Sequence, residues 1–297
     1  MATCPICSSS ATRLRFEGRT NRNPADGRVW VVYECEHCAH GFINPQPSAA
    51  TLKEYYSSSY EAYDDQHGAE ADDAEVIARA KAAGEFRHIP IPAGKKILDF
   101  GCGGGFFLRI CRELGAQVQG IEPSPFGAEI TRKQNIPVFE GSLDDFLEQN
   151  GDQRFDVITS NHVLEHVPNP IQTLEGLRSL LAPGGVMTIT VPNATSAFAK
   201  LLGKDWYNTD LPFHLHQFSA MSLRCAAERA ALTTQYLGTT SLPAGSAASL
   251  RLVLRQKFMV PQRLSVRLPG IERLGASIAA RHDRKARGEA LLARFAA

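Results

Sequence analysis

Three groups of side chains in this sequence have the types and spacing that chemistry needs. Cys4-Pro5-Ile6-Cys7 and Cys35-Glu36-His37-Cys38 are Cys-X-X-Cys pairs separated by 27 residues. Each turn points its two sulfurs to one side, and two such turns complete a tetrahedral four-cysteine zinc site. A closed site of that kind is structural, because no coordination position stays open. His37 and His40 are spare ligands. A redox Cys-X-X-Cys opens a helix in a βαβ unit, which neither pair does.

The second group is Gly101-Cys102-Gly103-Gly104-Gly105 with Asp99 before it and Glu122 about 20 residues on. Glycines at a strand-to-helix turn let the backbone approach a ligand, and the helix N-terminus favours anionic groups. The spacing is GxGxG, since the third glycine of the dinucleotide pattern falls on Phe106. Asp99 repels a pyrophosphate but suits a ligand whose near end is an ammonium. Glu122 ends a strand, where a carboxylate accepts from both hydroxyls of a ribose; the alternative is a solvated strand-end acid. Further along, Leu143 lines an adenine pocket and Asp144 accepts from its amine, or both belong to a helix cap.

The third group lies in VPNATSAFAKLLGKDWYNTDLPFHLHQFS. The segment is long for a connection and rich in His, Trp and Tyr, as a binding loop is. His214 is the candidate general base, its neutral imidazole taking the proton from an acceptor hydroxyl. His216 is the alternate, and anchoring of the loop is the competing role for His214. Trp206 and Tyr207 are either pocket wall or core. Cys102, Cys111 and Cys225 read as small packing residues.

The elements that must position these groups follow from periodicity. RLRFEG and RVWVVYEC alternate apolar and polar residues like two strands, with Asn23, Pro24, Asp26 and Gly27 as the turn. Residues 1–47 are therefore expected to form a zinc ribbon. Residues 48–92 read as an acidic connector with Tyr55, Tyr56, Tyr60 and Tyr63, helical near 74–88 and ended by Pro90 and Pro92. From 93 to 297, strands at 96–100, 117–121, 137–139, 155–160 and 186–191 alternate with helical runs, the last after the turn Leu181-Ala182-Pro183-Gly184-Gly185. That alternation implies a parallel sheet with ligands at its carboxyl strand ends. Later strands are expected at 234–238 and in GEALLARFA. Between them, 242–287 carries ten Lys/Arg against Glu272 and Asp283, a net of +8, among apolar residues at roughly helical spacing. Such a segment suits an anionic membrane surface or a phosphorylated substrate, or is a pair of ordinary amphipathic helices or a homodimer contact.

Composition narrows the classes. The 297 residues are 43% hydrophobic and 21% charged with a net charge of +1, so nothing global points to nucleic acid or membrane. No apolar run approaches the roughly 20 residues of a membrane span. The first residues lack a basic head and apolar stretch, so a cytoplasmic location is expected. In that compartment the seven cysteines are not expected to pair.

LDFGCGGG, IEPS, FDVITSNHVLEHV and LLAPGG, in that order, resemble the class I S-adenosylmethionine-dependent methyltransferases. The similarity is greatest to the bacterial type with an N-terminal four-cysteine ribbon, common in surface-polysaccharide and natural-product sugar pathways. It implies an α/β fold: a Rossmann-like seven-stranded methyltransferase sheet with helices on both faces, plus the small ribbon. It further implies that Asp99, Gly101, Cys102 and Gly103 hold the methionine part of the cofactor and that Glu122 and Pro123 hold the ribose. Asn161 and His162 then sit beside the sulfonium. Glu165 and His166 match a position near the active-site mouth, with helix packing as the alternative, and His166 joins His214 and His216 as a catalytic candidate. Pro212-Phe213-His214-Leu215 with Phe218-Ser219 resembles the loop that covers the substrate.

The expected reaction is methyl transfer to a hydroxyl, or less so a carbon, of a sugar or related small metabolite, with S-adenosylmethionine as cofactor and Zn²⁺ structural. In-line positioning supplies most of the rate, with a base adding ~10²–10⁴-fold. No NPPF-like tetrapeptide or Pro-Cys pair follows the fourth strand, which disfavours nucleobase amines and covalent cytosine chemistry. Two other readings stay open. One is an RNA methyltransferase gripping the backbone through Arg13, Arg15, Arg19, Arg22, Arg28 and the basic insertion, a reading the acidic connector opposes. The other is a cofactor-binding scaffold whose ribbon recruits a protein partner.

Overall fold

The computed structural model describes residues 2–20, 26–55, 78, 93–266 and 268–297. The turn residues Asn23 and Pro24, tyrosines Tyr56, Tyr60 and Tyr63, the helix expected near 74–88 and the breakers Pro90 and Pro92 lie outside them.

A seven-stranded sheet carries the alternating half of the sequence. Its strands are β4 (Lys96–Phe100), β5 (Gln117–Glu122), β6 (Val138–Glu140), β7 (Phe155–Asn161), β8 (Leu181–Pro192), β10 (Thr233–Thr240) and β11 (Ala290–Ala296). They are ordered β10-β11-β8-β7-β4-β5-β6. The pairs β4–β5, β4–β7 and β5–β6 are parallel. Consecutive residues of β4 and of β7 are buried, so both faces of these strands are covered, as in parallel sheets. Chain order reverses at β4, whose neighbours are β5 and β7, so the crevice beyond its carboxyl end is where such sheets take ligands. One expectation needs correction: β8 starts at Leu181, not Val186. The Pro-Gly-Gly signal is real, with Gly184 at φ 76°, but the strand absorbs the bend.

A second sheet has four strands, β1 (Thr12–Gly18), β2 (Trp30–Cys35), β3 (Gly41–Ile43) and β9 (His216–Gln217), in that order. The first two pair antiparallel, and β9 comes from the histidine loop, pairing Phe42 with His216 and Gly41 with Gln217.

The chain divides into two compact units. One comprises 1–47, 190–226 and 237–292, the other 48–189, 227–236 and 293–297. The single block expected over 93–297 is thus shared between them, because β9 adds its strand to the ribbon sheet. The basic insertion is helical: α8 (Pro243–Lys257), α9 (Gln262–Val266) and α10 (Ile271–Arg284). For continuity the preceding helices are α1 (Ala49–Tyr55), α2 (Phe106–Glu113), α3 (Pro125–Lys133), α4 (Leu143–Asn150), α5 (Pro170–Ser179), α6 (Ala197–Leu202) and α7 (Ala220–Arg229). Helices α8 and α10 meet where Gly275 lies against Ala247, with no room for a Cβ.

Candidate functional site

In the second unit the glycine loop joins β4 to α2. Gly101 and Gly103 have φ of 73° and 54°, a region that favours glycine. A Cβ on Gly101 would also lie 2.4 Å from Val163 Cγ2, so this position admits no side chain. The loop is held from below by Glu122, 4% exposed at the end of β5. Its two oxygens accept from the N–H groups of Gly103 and Ser124, both at 2.8 Å. Burial raises its carboxyl above the usual range, and the two backbone donors oppose that rise. Each oxygen keeps a further lone pair. Glu122 is therefore not the solvated acid of the alternative reading.

Asp99 is buried under the same loop and accepts from Thr159 Oγ1 at 2.6 Å. Burial pushes its carboxyl up to about 7. The Cys102 side chain packs with Leu108 and Ile136, which leaves only its main chain to the loop's ligand. Pro123 is exposed beyond Glu122, and Leu143 is buried at the start of α4. The cap of that helix is made by Ser142 with Asp145, a reciprocal capping box. Asp144 takes no part in it and is exposed. At the end of β7, the buried Nδ2 of Asn161 and the buried Oγ of Ser160 have no hydrogen-bond partner among the described residues. His162 follows with φ 55°, half exposed, its Nδ1 3.3 Å from Glu165 Oε1. His166 closes the turn through its N–H to the Val163 carbonyl at 2.9 Å.

In the first unit, the four Sγ atoms of Cys4, Cys7, Cys35 and Cys38 lie within 4.8 Å of one another. A tetrahedral Zn²⁺ with bonds of about 2.3 Å needs sulfurs about 3.8 Å apart. The pairs Cys4–Cys38 and Cys7–Cys35 stand at 3.6 and 3.5 Å. The two turns repeat one geometry. Ser8 N–H donates to Cys4 O and Ala39 N–H to Cys35 O, with Ser8 and Ala39 both left-handed. Cys4 N–H donates to Ser9 O and Cys35 N–H to His40 O. The donor set therefore fits the ion.

The histidine loop lies in the same unit. His214, 7% exposed, places Nδ1 2.7 Å from the Asn208 carbonyl. A carbonyl only accepts, so Nδ1 carries a proton, and Nε2 stands 4.0 Å from Asp210 Oδ2. His216 is otherwise placed: it is 1% exposed in β9, with Nδ1 3.0 Å from His40 Nε2 and Nε2 3.5 Å from the Gln46 amide. His40 is fully buried against His216 and Ser222, so it is not a spare zinc ligand. Trp206 is core and wall at once. It is 3% exposed, donates from Nε1 to Glu289 Oε2 at 3.3 Å, and lines a narrow cleft with Arg15, Asn208, His214, His216 and Gln217. Glu289, Arg15 and Gln217 carry no spacing signal that would have singled them out in the sequence.

The family model described as "Methyltransferase domain" matches residues 73–237. A ubiquinone biosynthesis O-methyltransferase of Actinobacillus pleuropneumoniae serotype 5b is 32% identical over 136 residues, covering 42% of this chain and 58% of the relative. One of Xanthomonas axonopodis pv. citri is 35% identical over 136 residues, with 43% and 56% covered. The chain thus spans less than two thirds of the length of these curated relatives. Among solved structures, a methyltransferase in complex with the Trm112 activator of Haloferax volcanii has a TM-score of 0.52 at 19% identity, covering 76% of this chain and 93% of that one. The [4+2]-cyclase SpnF has a TM-score of 0.51 at 16% identity, covering 85% and 97%. Identities that low speak for the fold and not for the reaction. With more than half of its length matched and the Rossmann-like sheet in place, the chain belongs to the methyltransferase-domain family.

Proposed function

We propose that this protein transfers the methyl group of S-adenosylmethionine to a hydroxyl oxygen of a small acceptor. The observation that carries the reading is the cradle at the reversal point of the sheet. Gly101 leaves no space for a Cβ, Glu122 lies beneath the loop with free lone pairs, and Asn161 ends β7 with a partnerless Nδ2. In this reading Gly101, Cys102 and Gly103 receive the methionine part through their main chain. Asp99 balances its ammonium, Glu122 with Pro123 takes the ribose, and Leu143 with Asp144 meets the adenine. Asn161 and His162 flank the sulfur. S-adenosylmethionine, when bound, supplies an electrophilic methyl on a cationic sulfur.

His214 is the proposed base. Its Nδ1–H is committed to the Asn208 carbonyl, so the proton-taking atom in this proposal is Nε2, with Asp210 Oδ2 4.0 Å away to favour the imidazolium that forms. His216 and His166 are weaker candidates, the former because both of its ring nitrogens face polar neighbours. Zn²⁺ on Cys4, Cys7, Cys35 and Cys38 is proposed as structural.

The likeness to two O-methyltransferases of ubiquinone biosynthesis favours a hydroxyl acceptor of that pathway's kind. The ribbon-bearing resemblance favours a sugar, free or nucleotide-linked. Both are hydroxyls within reach of one mechanism. The test is transfer of isotopically labelled methyl to a panel of catechols and nucleotide sugars. With the accepted substrate, His214→Ala should lose about 10²–10³ in kcat while binding the cofactor normally. Unchanged turnover in that variant removes His214 from the mechanism.

A further inference from the structure

One arginine in the first unit holds a position that calls for a ligand. Strand β1 pairs Leu14 with Tyr33 and Phe16 with Val32, so Arg15 is the extra residue of a β-bulge. Bulges re-aim side chains, and this one sends the guanidinium over Gly41 of β3 to Gln217 of β9. Arg15 Nη1 donates to Gln217 Oε1 at 2.9 Å and Nη2 to the Ala194 carbonyl at 3.0 Å. Both partners are neutral. Among the described residues no carboxylate lies within 4.0 Å of Arg15, and Glu34 is engaged by Arg13 at 3.2 Å. Three of the five guanidinium donors remain.

Three more features converge on the same spot. Gln217 is 7% exposed, and its buried Nε2 has no acceptor among the described residues. Gly41 is the space that makes the arrangement possible. A Cβ there would come within 2.9 Å of Arg15 Nη1 and of Gln217 Cβ. Arg15 and Gln217 line one narrow cleft with Trp206, Asn208 and His214. Buried cations are normally paired, and buried donors normally have acceptors. Here a half-buried cation and an idle amide donor share a wall, with Glu34 near enough to act on Arg15 but, among the described residues, no carboxylate within 4.0 Å of it.

We propose that this cleft binds an oxyanion, a carboxylate or phosphate group carried by the acceptor, with Arg15 and the Gln217 amide as its donors. The word acceptor rests on the methyltransferase reading; the anion site itself does not. An acceptor seated by its anionic group on Arg15 presents the rest of the molecule to His214 in the same cleft. Strand β1 of the zinc ribbon thereby becomes a substrate-reading element.

The experiment uses the full, zinc-loaded chain with Trp30→Phe, so that Trp206 is the only tryptophan reporter. Its emission is followed while inorganic pyrophosphate and, separately, benzoate are added at constant ionic strength. Saturable binding is expected for at least one probe: pyrophosphate alone marks a phosphorylated acceptor, benzoate alone a carboxylate. Arg15→Met should weaken that binding at least about tenfold, while Arg19→Met, just past the same strand, leaves it in place. Gln217→Glu, which sets a carboxylate against Arg15, should abolish it. Zinc content and S-adenosylmethionine binding, measured on each variant, separate a lost site from a lost fold. No saturable response to either probe, or equal weakening by Arg19→Met and Arg15→Met, overturns the proposal. Failure of the methyltransferase reading would appear separately, as absent cofactor binding in a protein that still binds the anion.

Discussion

Asp99 shows how one side chain couples the cofactor cradle to stability. Burial raises its carboxyl from 3.8 to about 7, with the Thr159 hydroxyl acting in the opposite sense. The folded chain therefore keeps a proton that the unfolded chain releases. The stabilising contribution is complete below about pH 4 and is lost as pH rises through about 7, a swing of order 4 kcal/mol. Asp99→Asn keeps the shape and removes the titration. The variant should melt above the parent at about pH 8, with the gap closing towards about pH 4, while its affinity for S-adenosylmethionine falls because the ammonium loses its counter-charge. Thermal melts across that range check the point; a gap independent of pH would place the proton elsewhere.

At the scale of elements, the ribbon and the histidine loop are one sheet. Because β9 pairs with β3, the order of the zinc turns extends to His216 and Gln217. Ser219 Oγ donates to the Cys38 carbonyl at 2.8 Å and adds a second tie. Removing zinc with a chelator should therefore speed backbone hydrogen exchange across 214–219 as well as within 1–47. Exchange that changes only in 1–47 would show the loop to be held independently.

The same elements mark what the sequence could say. Strands β4, β5 and β7 are legible because apolar runs bounded by glycine or acidic residues repeat at regular intervals. The cysteine turns are legible because their spacing has one chemical use. Strand β9 is two residues long and has no period to read. The bulge at Arg15 depends on the register of β1 with β2, which composition does not encode. For Asp144 and Asp145 the sequence signal of a cap was present, but only the backbone decides which acid closes the box. The idle amide of Gln217 appears only once its neighbours are known.

For the molecule as a whole, the net charge of +1 conceals an uneven surface. Phe258 and Met259 after α8 and Leu264 within α9 are 68%, 82% and 60% exposed, with Arg255, Lys257 and Arg263 close in sequence. Among the described residues no helix is long and apolar enough to cross a membrane. Exposed apolar side chains amid basic ones instead suit the surface of an anionic bilayer. The protein should sediment with phosphatidylserine vesicles and be released by salt, and Phe258→Asp with Met259→Asp should abolish the effect. Sedimentation equal with neutral vesicles would argue against an electrostatic contribution.

The glycine cradle is expected to hold S-adenosylmethionine, and the decisive experiment is calorimetric titration of the zinc-loaded protein with S-adenosylmethionine and S-adenosylhomocysteine. Saturable binding of both is predicted, lost in Glu122→Ala, which removes the acceptor beneath Gly103 and Ser124. A folded protein that binds neither, or a Glu122→Ala variant that binds both unchanged, would contradict the account.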